Sequence, residues 1–578
     1  MRTLKVLLLV TLVGMLAAAC AAPTPVVVEK EKVVEKPVVQ TVVVEKEKVV
    51  EKPVAQTVVV EKEKVVEKVV TATPVPKPTG PRKGGTLNVT FAEWPKNLHA
   101  QIDSGTEGLY VQVHITEGLV NIDGNGNIIP GLATEWTMSP DGLTYTFKLR
   151  QGVKFHNGTD FDADDVLWTF DRLMGKIEGQ QSTQAARFQG AIESVEALDK
   201  YTVKIVLKKP WIDFLIMMAS DKYMDILSKE AFDELGKDYG LKGAVGTGPF
   251  KFKEWVPGDH ITIVRNENYW GEPPYLDAIV YRAIPEESTK LISLLTGETD
   301  VLLDPPWKDL KDLAKDPNIR IQEIDSGTLV YIGFNTSKPP FDDLRVRQAM
   351  AYAIDRQAVM DTVYYGWASK GQGIFPPWHW AWDPNEDFFP YDPEKAKALL
   401  AEAGYTEANP LTFEIVTTNE TDYVEVATVI QAQLAKIGVN ATVNSMDKAA
   451  WTAKTWNQNL RANPNFESAV YRLKFGVMTT DFSWRVFHSK TALNQPGYNQ
   501  PGGYQHPEVD KMLDDAWGIV DQEEATKVYR EISRLITLDV PRITLGWPKN
   551  INVSHTYVQN LGIFPRDDFP MTYVWLDK

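Results

Sequence analysis

The sequence predicts an α/β protein of several domains, and three observations carry that reading. Short runs with alternating apolar residues, such as 85–92 (GTLNVTFA) and 143–150 (LTYTFKLR), read as strands. Helical stretches with legible starts and stops lie between such runs. A strand, a helix and a second strand succeed one another over 411–444, which is a βαβ unit. At 578 residues the chain also exceeds what one hydrophobic core organises.

In chain order, residues 119–129 (LVNIDGNGNII) form a hairpin pattern around a Gly and Asn turn. Asn121, Asp123, Asn125 and Gly126 have the spacing of a calcium loop. The twelfth position, which needs a bidentate glutamate, is Leu132, so the metal reading fails. A helix opens near Phe161 with Asp162 as N-cap and Asp165 three residues on. Capping at the positive helix end explains both carboxylates without acid–base chemistry. Asp392-Pro393 at one end and Gly404 at the other bound a further helix. The βαβ unit then runs through a strand at 411–416, a helix at 423–436 that stops at Gly438, and a strand at 439–444.

The N-terminus is built for export. Arg2 and Lys5 precede the apolar run 6–16, and the small residues 17–19 lead to Cys20, the sole cysteine. The segment resembles the lipobox of bacterial lipoproteins, with Ala17 where leucine is usual, and implies lipidation of Cys20. Three copies of a 16-residue repeat follow, at 26–41, 42–57 and 58–73, each with three Glu and three Lys. Without aromatic residues, with a period of 16 that breaks heptad phase and with Pro37 and Pro53 as interruptions, they are expected to form a spacer rather than a packed stalk. As a flexible coil, residues 21–83 would reach about 45 Å. Beyond the neutral repeats the first 83 residues carry +5, so the total of −16 leaves −21 on residues 84–578. That surface argues against nucleic acid and anionic membrane as ligands.

Four ordered stretches carry a family resemblance: 117–170, 246–271 (GTGPFKFKEWVPGDHITIVRNENYWG), 334–356 (FNTSKPPFDDLRVRQAMAYAIDR) and 391–405 (YDPEKAKALLAEAGY). Together they resemble the solute-binding lipoproteins of ABC importers in the peptide, dipeptide and nickel class. The resemblance implies a two-lobed, periplasmic-binding-protein-like clamshell with an additional inserted domain. The first lobe would be discontinuous (84–126, 244–336 and 541–578), the inserted domain 127–243 and the opposing lobe 337–540. Gly246, Gly248 and Phe334, with Asn335 beside it, would lie at the hinges. The implied partners are a small solute, ABC permease subunits with a separate ATPase, and the membrane through the lipid anchor. A monomer is expected, with no cofactor or metal.

The tryptophans, all 17 of them beyond residue 83, suit a site built on planar contact area. Trp378, Trp380 and Trp382 sit in the proline-rich PPWHWAW loop and either line the cleft or prop that loop. In peptide-binding members a tryptophan three residues before an aspartate forms a platform, and the aspartate pairs with the peptide ammonium. The matching stretch, 471–487, offers Asp481 but has Met478 in place of the tryptophan. Asp481 is open to three readings: an ammonium partner, an acceptor for sugar hydroxyls, or a loop aspartate. Tyr471, Thr480 and Trp484 in that stretch, with Glu93, Trp94 and Asn335, complete the candidate set. Peptide ranks first as ligand, oligosaccharide second and metallophore third. An exported hydrolase is the rival class, but HExxH, GxSxG and GxxxxGK motifs are absent, and the eight histidines show no paired ligand spacing.

Overall fold

The computed structural model describes residues 80–578 except 103–104, 124–126, 178–181, 221, 456–465, 475–479, 491–503 and 564–569, with backbone only at 186, 474 and 481. Cys20, the repeats and Met478 lie outside the described residues, as does the Asp481 side chain.

Two large mixed sheets and one smaller antiparallel sheet organise the molecule. The larger has seven strands in the order Ile319–Ile324, Asn550–His555, Val301–Leu303, Thr86–Phe91, Ala278–Ala283, His260–Arg265 and Phe250–Val256. The second has six: Ala368–Lys370, Arg542–Pro548, Thr328–Phe334, Ser468–Lys474, Thr412–Thr418 and Asn440–Met446. The strands Ala133–Met138, Thr144–Leu149, Thr202–Leu207 and Ile192–Asp199 form the inserted four-stranded sheet. Each sheet buries apolar residues: Leu87, Val89 and Ile279 in the first, Ile332, Ile415 and Leu545 in the second, and Phe147, Val203 and Ile205 in the inserted one. Burying each such side chain stabilises by roughly 1.5–3 kcal/mol.

Local expectations hold where residue chemistry is short-range. Strands Val120–Ile122 and Ile128–Pro130 pair as the expected hairpin. Asp162 caps helix Ala163–Leu173 in a reciprocal capping box with Asp165. Asp392 caps helix Pro393–Glu402. The unit Thr412–Thr418, Thr421–Ala435 and Asn440–Met446 is a parallel βαβ.

Sheet membership moves the passages between the two large sheets. Strands Thr328–Phe334 and Arg542–Pro548, assigned from sequence to the first lobe, hydrogen-bond within the six-stranded sheet. The chain therefore crosses at residues 325–327 and again at Lys549. These crossings lie side by side: the Ser326 hydroxyl donates to the Pro548 carbonyl, and Ser369 Oγ donates to Asp325 Oδ1 at 3.1 Å. Phe334 is instead core, stacked on Phe341 at 4.5 Å. Asn335 is fully buried, donating to the Phe466 carbonyl at 3.0 Å and accepting from Ser337 Oγ at 2.6 Å, so its side chain is committed to a turn.

Gly246 and Gly248 sit where the inserted domain returns to the seven-stranded sheet. A Cβ on Gly246 would overlap the Ile115 carbonyl, and one on Gly248 would crowd His114 and Ile115. His156 is threaded through this crossing: its backbone N–H donates to Gly246 O at 2.9 Å, and Nε2 is 2.9 Å from Gly248 O. The neighbouring Glu117 is buried and accepts from Thr247 Oγ1 (2.7 Å), Tyr269 Oη (2.7 Å) and Trp270 Nε1 (2.8 Å). Burial pushes its carboxyl upward, against the pull of these three donors. Two of the stretches that carried the family resemblance thus meet in one locked node rather than a loose joint.

Candidate ligand-binding cleft

In open sheets, ligands settle beyond the carboxyl ends of parallel strands. Thr86–Phe91 runs parallel to both Ala278–Ala283 and Val301–Leu303. Thr412–Thr418 runs parallel to both Asn440–Met446 and Ser468–Lys474. Glu93 and Trp94 follow the carboxyl end of the first set, as do Asp304 and Trp307. Residues 419–423 and 447–451 follow the second.

On the six-stranded side this edge is aromatic and charged. Tyr423, Tyr471 and Trp451 form a continuous stack, with centroids 5.7 and 4.3 Å apart and planes within 18°. Arg472 donates to Asp422 Oδ2 at 2.8 Å, and its guanidinium lies 5.2 Å from the Tyr423 ring centroid. Burial opposes the Arg472 charge, but Tyr423, Asp422, Tyr364 and Glu420 outweigh it and keep the guanidinium protonated. Burial likewise pushes the Glu420 carboxyl up. Arg472 and Lys448 oppose that push, while Asp422 and, from the other sheet, Glu93 add to it. The two sheets thus sense each other electrostatically at Glu93 and Glu420. They also touch at Trp307 and Tyr364, whose rings meet edge to face at 5.2 Å.

Of the residues expected from sequence, Glu93, Trp94 and Tyr471 fall on this edge. Trp94 packs edge to face on Phe91 at 6.2 Å. The tryptophan loop has a different setting. Trp378 Nε1 donates to the Ser326 carbonyl at 2.9 Å, at the crossing between sheets. His379 stacks between Phe375 and Trp380, Trp380 meets Tyr529 edge to face, and the Trp382 carbonyl accepts from Arg530. All three tryptophans pack on the core behind the six-stranded sheet. Trp484 turns toward helix Pro507–Ala516, donating to Asp514 Oδ1 at 3.0 Å. Thr480 is held by Asp213 of the inserted domain.

Sequence reasoning missed Glu420, Asp422, Tyr423, Trp451 and Arg472. The carboxyl-end rule applied to the strand at 411–416 would have flagged Glu420 and Asp422; nothing local marks the other three. A depression of ≈ 490 Å³ lined by Tyr275, Tyr573 and Trp575 lies elsewhere, at the amino ends of the first set of strands. Among the described residues no group of three or more His, Cys, Asp or Glu could hold a metal ion. No described helix is long and apolar enough to cross a membrane.

Two α/β lobes joined by paired crossings, with strand ends facing each other, define a clamshell solute-binding protein. The chain matches the model of the bacterial extracellular solute-binding proteins, family 5, over residues 127–499, and it belongs to that family. It is 32% identical over 456 residues to heme-binding protein A of Haemophilus influenzae (73% of this chain, 79% of the relative). It is 31% identical over 457 residues to the glutathione-binding protein GsiB of Salmonella paratyphi A (78% and 87%). The periplasmic binding protein DppA of Helicobacter pylori, solved with the peptide STSA, superposes with a TM-score of 0.75 at 30% identity, covering 86% of this chain and 99% of that one. The protein is a binding protein, not an enzyme, and delivers a small solute to an ABC importer.

Proposed function

We propose that the solute is a short peptide or similar small molecule with a cationic end, and that the receptor is anchored by lipid at Cys20. The observation that carries the first part is the acidic junction between the lobes. Half-buried Glu420 feels Asp422 on its own lobe and Glu93 on the other, while Arg472 and Lys448 offset part of that charge. A cation on the ligand adds to the relief that Arg472 and Lys448 give, so ligand binding and lobe approach reinforce each other. Asp481 is the second residue of helix Thr480–Phe487. The relatives' solutes named above include peptides and glutathione, which fits this reading. The aromatic stack does not favour an oligosaccharide, because Tyr423, Tyr471 and Trp451 present their faces to one another.

The test is a thermal-shift and calorimetric screen of di- to pentapeptides, their N-acetylated forms, and xylo- and cello-oligosaccharides. Free peptides should bind, and acetylation, Glu420→Gln or Asp481→Asn should weaken binding about tenfold, or ~1.4 kcal/mol. Equal affinity for acetylated peptides, or tight binding of a neutral sugar, rejects the cationic reading. For the anchor, Cys20→Ser should move the protein from the membrane fraction to the soluble fraction. Retention in the membrane fraction would reject lipidation.

A further inference from the structure

The inserted domain has no covalent connection to the six-stranded lobe. It leaves and rejoins the seven-stranded sheet on either side of residues 127–243, whereas the six-stranded lobe is joined to that sheet at 325–327 and Lys549. Two bodies hung from a common third body touch only at one setting of the hinge. They touch here through residues 211–213 and at Gly142 against Val520. Ile212 packs into the core behind the six-stranded sheet, and Trp211 lies 5.7 Å from Trp517, which in turn meets Trp484 edge to face at 6.1 Å.

The polar centre of this contact is Asp213, 2% exposed. Its Oδ2 accepts both the backbone N–H and the hydroxyl of Thr480, each at 2.5 Å. Thr480 opens helix Thr480–Phe487, whose first N–H groups have no partner within the helix. Asp213 satisfies one of them from 267 residues away, on another domain. Asp213 is itself firmly mounted: its carbonyl accepts from Met217 N–H at 2.7 Å at the head of helix Phe214–Ser220.

We infer that Asp213 is a positioning residue that ties the N-terminus of helix Thr480–Phe487 in trans, so that the inserted domain holds this helix only when the lobes come together. The domain is then a working part of solute capture: it adds its cap and its Trp211–Ile212 wedge to the closed form alone and shifts the open–closed balance toward closure. The inference does not depend on which solute is bound.

A cross-linking rate reads that balance directly. In the full chain carrying Cys20→Ser, cysteines replace Asp141 and Val520, which flank the same contact because a Cβ on Gly142 would lie 2.8 Å from Val520. A short bis-maleimide then joins the two thiols at a rate proportional to the closed population. Asp213→Ala and Thr480→Val should each slow cross-linking about five- to tenfold, the loss of one cap. The double variant should be no slower than either single one, and Thr480→Ser should keep the parent rate. Parent rates in both single variants, or a double variant slowed by the product of the two effects, overturn the inference. If Asp213→Ala does not fold, Thr480→Val and its serine rescue decide the question alone.

Discussion

The crossing at Glu117 and the cleft edge at Glu420 each bury a carboxylate among aromatic residues, yet they are built to opposite ends. At Glu117 three donors from Thr247, Tyr269 and Trp270 saturate the carboxylate, and glycines let backbone lie on backbone. At Glu420 the neighbours include two further acids, one of them on the opposite lobe, which Arg472 and Lys448 offset only in part. A saturated site is finished and holds structure. A site whose charge is left in excess is completed by something else. Two of the four stretches that carried the family resemblance are of the finished kind, which helps explain why it identified the receptor and not the solute.

The comparison can be broken by substitutions that should act on one region and not the other. The largest effect is expected from Gly246→Ala, because the added methyl overlaps the Ile115 carbonyl and backbone cannot step aside. Soluble, folded protein should be lost, with any remainder destabilised by about 4 kcal/mol or more in denaturant titrations. Glu117→Ala strands three buried donors and should cost about 3 kcal/mol, while leaving the ranking of solutes unchanged. A changed solute preference in that variant would show that the crossing belongs to the binding site after all.

A pH experiment sharpens the comparison within the six-stranded lobe. Burial lifts the Glu386 carboxyl to about 7, with Ser533 and Thr537 only partly offsetting it. Its folded value lies above the unfolded one, so its stabilising contribution is complete below about pH 4.5 and is lost as pH rises through about 7. Glu386→Gln should therefore change little at pH 5 and stabilise by at most about 3 kcal/mol at pH 8, read from urea midpoints at both values. His156 behaves in the other sense: burial lowers it to about 4, so its contribution is complete above about pH 6.5 and fades as pH falls through about 4. The weakest expected effect is Trp484→Phe, which removes the indole donor to Asp514 but keeps the ring. It should cost under about 1 kcal/mol of stability and leave solute affinity intact.

Legibility followed range. The Asp162 and Asp392 caps, the hairpin at 120–130 and the βαβ unit rest on contacts within a few residues of one another, and all were visible in the chain as written. Glu93, Trp94 and Tyr471 were named as site residues, but their partners were not: Glu420 was legible only through the carboxyl-end rule, and Arg472 carries no local mark of function. The tryptophan loop shows the converse. PPWHWAW is conspicuous in sequence, while its contacts are with the crossing at Ser326 and the core at Tyr529.

By itself the sequence determined an α/β receptor of this family, its helix caps and its acidic surface, because periodicity, capping chemistry and charge are local or additive properties. Only the tertiary structure decided where the chain passes between sheets, which carboxylates face each other across the lobes, and that Asp213 reaches Thr480. Those facts depend on strand order and on contacts between residues hundreds of positions apart, which no local pattern encodes.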